Sequence, residues 1–240
     1  MLCRLETAEH AHGSDGLGDI GFPDPEGTEG AEHAIDFLVR TFTESAGPVH
    51  LITLGPLTNI GLALLREPAL ASRISSLVMM AGGIVGGNAT AAAEFNVFVD
   101  PEAADIVFRS GIPMTMVPLD PIVADATLEG EHIERIEQSD APWCWMAGRL
   151  LRQRLERWHG PVSPPDLAAM GVAIDPTIAE SEMLHVAIET LGRHTRGMTV
   201  VDRRRWRDMM PGQPEANVNV VTHIDTQAYR LLCTRTLLGE

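Results

Sequence analysis

The chain has 240 residues, 45% of them hydrophobic, and 33 Asp and Glu against 18 Lys and Arg leave a formal net charge of −15. So acidic a surface repels phosphate backbones and anionic bilayers, which argues against nucleic-acid and membrane partners and leaves a neutral small molecule as the compatible ligand. The three cysteines, Cys3, Cys144 and Cys233, are odd in number and far apart, no apolar run approaches a membrane span, and the N-terminus carries no signal-type apolar stretch, so a cytoplasmic protein is expected.

The length suits one large α/β domain over residues 1–240. Ala34, Phe37, Leu38 and Phe42 recur at helical spacing, which predicts a helix over 28–45, and Gly47-Pro48 ends it before a strand over 49–54 apolar enough to be buried on both faces. A helix over 58–66, a strand over 76–80, a helix over 101–110 with Pro101 in its first turn, and a strand over 114–118 follow. Helices are expected over 141–159, rich in Arg and Trp, and over 165–174. Beyond Asp175-Pro176 the pattern turns to β segments at 183–189, 198–201 and 218–223 before a closing helix. Strand, helix, strand repeats imply an α/β fold with an open, mostly parallel sheet and flanking helices.

Residues 79–105, MMAGGIVGGNATAAAEFNVFVDPEAAD, concentrate two glycine pairs with Asn88, Glu94 and Asn96 between a buried strand and a helix start. Open α/β proteins place ligands at the carboxyl ends of their strands, where such loops lie. A carboxamide donates and accepts while an ionised carboxylate only accepts, so these three side chains suit adjacent hydroxyls, as in a vicinal diol. Two residues apart on an extended backbone, Glu94 and Asn96 would share one face and send Phe95 into the core. The plainer alternative is that the Asn residues cap turns and Glu94 is solvated.

The motifs LITLGPLTN at 51–59 preceded by His50, MMAGG, GNATAAAEFN, VDPEAADIVFRSG, HGSDGLG at 12–18 and GMTVVD at 197–202 closely resemble the inosine/uridine-type nucleoside hydrolases. The resemblance implies hydrolysis of the N-glycosidic bond of ribonucleosides to base and ribose, with a calcium ion, on an open α/β fold. It implies that Asn88, Glu94, Asn96 and Met80 bind the ribose, that the Leu54 backbone carbonyl and Asp166 are metal ligands, and that His12 is a catalytic histidine. Arg157 and Trp158 fall on a helix that flanks the base in relatives. Pro165 stands where the family has a histidine proposed as general acid.

Family members begin with a strand and an Asp-rich DxDxxxDD loop, which supplies most calcium ligands and the group that activates water. This sequence opens MLCRLETAEHAHG, so an N-terminally truncated domain with an incomplete Ca2+ site and impaired or absent turnover is expected. The alternative is a non-catalytic ribose- or nucleoside-binding module, or an inactive fragment. A small-molecule nucleoside is the expected partner. Because relatives commonly form dimers or tetramers, a homo-oligomer is also expected.

Overall fold

A computed structural model of the chain describes residues 6–23, 26–27, 30–205, 209 and 212–240, leaving aside the side chains of Pro142 and Trp158. Cys3, the first two residues of the predicted 28–45 helix and the Trp158 side chain lie outside the described residues. The helices are α1 (Glu9–His12), α2 (Ala34–Glu44), α3 (Thr58–Arg66), α4 (Phe95–Val99), α5 (Pro101–Phe108), α6 (Leu119–Asp125), α7 (Gly130–Glu137), α8 (Pro142–Trp158), α9 (Pro165–Ile174) and α10 (Thr226–Leu238). The strands are β1 (Val49–Thr53), β2 (Ile74–Met80), β3 (Met114–Val117), β4 (Ala179–Leu184), β5 (Val186–Ile188), β6 (Thr199–Val201) and β7 (Val218–Ile224). The chain forms two compact units, one from Gly30–Pro121 and Ala179–His223, the other from Glu6–Glu29, Ile122–Ile178 and Ile224–Glu240.

In the first unit a five-stranded sheet runs in the order β1-β2-β3-β7-β4. β1 with β2, β2 with β3, and β3 with β7 are parallel, in a register that sets Leu77 opposite Met114 and Met116 opposite Val220. Leu77, Met79 and Met116 are wholly buried in β2 and β3, and each such side chain contributes about 1.5–3 kcal/mol on leaving water. β1 does not follow the expectation of burial on both faces. It lies at one end of the sheet order, His50 is exposed and the other four residues are half-buried, because an outer strand has a neighbour on one side only.

α3 and α5 cross closely, since the space a side chain would need at Gly61 is taken by Ala103, its Cβ 3.0 Å from where a methyl would sit. Asp100, fully buried, caps α5 by accepting from the Ala103 N–H and also accepts from the Thr58 hydroxyl at 2.7 Å. The LTN and VDP motifs are thereby joined at one point. The predicted β segment over 183–189 is two strands: β4 belongs to the five-stranded sheet, whereas β5 pairs antiparallel with β6. The Asn217 side chain explains the break. Its Oδ1 accepts from the Val186 N–H at 2.8 Å and its Nδ2 donates to the Val186 carbonyl at 3.0 Å, so a side chain replaces the strand ladder there.

The second unit is helical. α7 packs along α8, and α10 packs on α7 and α9, burying Ile133, Ile136, Cys144, Ala168 and Tyr229. The stretch 10–20 that contains HGSDGLG is fastened to α8 by Arg149, which donates to the Ile20 carbonyl, by Gln153, which donates to the Gly18 carbonyl, and by Arg157, which donates to the His10 carbonyl. Among the described residues no helix is long and apolar enough to cross a membrane.

Candidate functional site

The loop after β2 departs from the extended conformation expected for residues 94–96. Glu94 is the N-cap of α4, and Asn96 is helical. The two-residue spacing of Glu94 and Asn96 suits an extended backbone, but a buried carboxylate that satisfies the free N–H groups of a helix start outweighs that local preference. Glu94 is 2% exposed, and its Oε2 accepts from Gly82 N–H at 2.9 Å and Val97 N–H at 3.4 Å, while Oε1 accepts from Asn96 N–H at 2.9 Å.

Asn96 is also buried and donates through Nδ2 to the Met80 carbonyl at 3.0 Å and to the Met80 sulfur at 3.2 Å. Asn88 is exposed, and its Oδ1 accepts from the Phe95 N–H at 2.9 Å. Met80, Asn88, Glu94 and Asn96 are therefore brought together, each committing part of its hydrogen-bonding capacity to the loop. Among the described residues Asn96 Oδ1 and Asn88 Nδ2 carry no hydrogen bond, which leaves one acceptor and one amide donor for a ligand.

Two residues that were not singled out in the sequence complete the loop. Asp120, in the first turn of α6 just beyond β3, accepts from the Ile84 N–H at 2.5 Å through Oδ2 and the Val85 N–H at 3.0 Å through Oδ1. The buried Thr199 hydroxyl accepts from Gly83 N–H at 2.9 Å and donates to the Gly83 carbonyl at 2.5 Å. The Gly82 carbonyl accepts from the Leu119 N–H at 2.9 Å. The position of Asp120 at the carboxyl end of a central strand was the signal available for it; Thr199 lies inside GMTVVD but had no role attached to it.

His12 and Asp166 belong to the second unit, where their charges act on each other. His12 is exposed by surface area, yet the protein packed around its ring holds the imidazole below its ordinary value; Arg154 adds to the shift, and Asp166 opposes it. The Asp166 carboxyl keeps solvent contact at the start of α9, yet the protein around its head pushes it above the usual carboxylate range, against Arg154 and His12. Leu54, exposed just after β1, belongs to the first unit. Calcium takes six to eight oxygen ligands. Among the described residues no three His, Cys, Asp or Glu side chains gather where they could share an ion, so the described chain does not fit a full calcium sphere.

The profile of the family described as inosine-uridine preferring nucleoside hydrolase matches residues 1–230. The chain belongs to this family. A pyrimidine-specific ribonucleoside hydrolase, RihA, of Photobacterium profundum is 41% identical over 210 residues, 85% of this chain and 67% of the relative. The RihA of Shewanella woodyi is 38% identical over 239 residues, 97% of this chain and 75% of the relative. Among solved structures, a plant nucleoside hydrolase superposes with a TM-score of 0.86 at 25% identity, covering 98% of this chain and 76% of its own. A purine-preferring ribonucleoside hydrolase from Gardnerella vaginalis does so with 0.83 at 27% identity, covering 96% and 73%. This nucleoside hydrolase thus has the fold and the reaction class of its family, hydrolysis of ribonucleosides to free base and ribose.

Proposed function

We propose that this nucleoside hydrolase acts on pyrimidine ribonucleosides and holds their ribose on the loop that carries Met80, Asn88, Glu94 and Asn96. The observation that carries the ribose reading is the pair of groups left open on an otherwise bonded loop, Asn96 Oδ1 and Asn88 Nδ2, an acceptor and a donor suited to neighbouring hydroxyls. Cleavage of an N-glycosidic bond places positive charge on the sugar ring, and Glu94, held still by backbone donors, is a preorganised negative charge for that state. His12 is the candidate catalytic histidine, and Asp166 acts on it by charge within the second unit. The pyrimidine preference is supported by relatives at 41% and 38% identity that are named for it, against 27% for a purine-preferring structure.

The chain is further proposed to work as one domain, in the cytoplasm and as a homo-oligomer. Calcium is the ion the resemblance implies, and the positions that match its ligands are the Leu54 carbonyl in the first unit and Asp166 in the second. The described residues do not complete a coordination sphere for it. The test is ribose release from uridine, cytidine and inosine, with added calcium and with a chelator, beside calorimetric titration with D-ribose. Uridine and cytidine are expected to exceed inosine in kcat/KM by about tenfold or more. Ribose binding without turnover would make the chain a binding module, and a preference for inosine would overturn the pyrimidine assignment.

A further inference from the structure

Resting on the ribose reading above, we infer that Thr199 and Asp120 are positioning residues for the sugar, acting through the loop without touching the ligand. Every backbone N–H from Gly82 to Val85 is accounted for: Gly82 by Glu94, Gly83 by Thr199, Ile84 and Val85 by Asp120. The carbonyls of Gly82 and Gly83 are bonded as well, to the Leu119 N–H and the Thr199 hydroxyl. Backbone in a loop with two adjacent glycines has wide conformational freedom, so a fixed shape has to be imposed from outside. Here it is imposed by residues 36 and 116 positions away in the sequence.

The consequence for ligand binding runs through two contacts. The Gly82 N–H holds Glu94 Oε2, and the Met80 carbonyl, two residues before Gly82, holds Asn96 Nδ2. Freeing Gly83 from Thr199 lets its neighbour Gly82, the anchor of Glu94, shift relative to Met80. The carboxylate and the open Asn96 oxygen then lose their fixed spacing, and a rigid diol needs that spacing. Thr199 is suited to the task because one hydroxyl meets both polar groups of a single residue, a fit that the isosteric valine lacks. Asp120 contributes a carboxylate whose two oxygens receive consecutive N–H groups, a pairing that asparagine keeps only in half.

The experiment is calorimetric titration of the full chain with D-ribose for the unsubstituted protein and for Thr199→Val, Thr199→Ser and Asp120→Asn, beside circular dichroism melts that establish the folded fraction at the titration temperature. Thr199→Val is expected to weaken ribose binding about tenfold while fully folded, the equilibrium effect of a lost hydrogen-bonded restraint. Thr199→Ser, which keeps the hydroxyl, is expected to stay within about twofold. A purely structural role would lower the melting temperature and leave the affinity of the folded protein unchanged. That result overturns the inference, as does a serine variant as weak as the valine one. If Thr199→Val does not fold, Asp120→Asn decides by the same criterion. An unsubstituted chain that binds no ribose removes the ribose reading itself, and the positioning role with it.

Discussion

Replacing Glu94 with Gln tests whether this carboxylate is the structural centre of the loop as well as a candidate sugar contact. The residue is 2% exposed and accepts from three backbone N–H groups, at 2.9, 2.9 and 3.4 Å. Glutamine is nearly the same size but presents one oxygen and one NH2. In the better of its two orientations the amide oxygen faces the Gly82 and Val97 donors, and the NH2 confronts the Asn96 N–H. One charge-assisted bond is then lost with its donor left buried, which costs about 1–3 kcal/mol, and the two retained bonds weaken as the acceptor loses its charge. The expected total is about 2–4 kcal/mol, a large part of the 5–15 kcal/mol that stabilises a typical domain. Urea denaturation followed by far-ultraviolet circular dichroism measures it. A loss below about 0.5 kcal/mol, the range of ordinary surface substitutions, would refute the assignment of Glu94 as a helix cap and loop tie.

Two further outcomes are expected. A methyl group at Gly83 would overlap the Gly86 carbonyl oxygen, whereas one at Gly55 would meet nothing. Gly83→Ala should therefore cost more than about 3 kcal/mol in thermal or chemical denaturation, with Gly55→Ala within about 0.5 kcal/mol of the unsubstituted chain. The Arg196 guanidinium holds Glu102 with two bonds of 2.6 and 2.8 Å and keeps its carboxyl below the ordinary value of 4.5. A carboxyl depressed in the folded state stabilises it above the unfolded value, and the benefit disappears as pH falls through the folded one. The stability difference between the unsubstituted chain and Glu102→Gln should thus be under about 1 kcal/mol at pH 7, since both partners are more than a third exposed, and should shrink to nothing as pH falls below the folded value. A difference that grows on acidification would refute the pairing.

What could be read along the chain was whatever depends on neighbours in sequence. Apolar periodicity located β2, β3, β7 and the helices α3, α5, α8 and α9 within a few residues, because side-chain spacing is set by the repeat of each element. The glycine pairs and the Asn, Glu, Asn set marked residues 79–105 as a candidate site on local grounds too, since backbone freedom and hydrogen-bonding side chains are concentrated in one segment. Four things depended on tertiary structure. β1 is half-buried because of its place in the sheet order, which no local pattern encodes. The 183–189 segment divides because Asn217, distant in sequence, inserts its amide at Val186. α4 is helical because Glu94 finds free N–H groups to cap in a dry interior, where a carboxylate requires such donors. The roles of Asp120 and Thr199 arise from hydrogen bonds across 36 and 116 residues, and bonds of that kind exist only once folding has brought the ends of separate strands to the same loop.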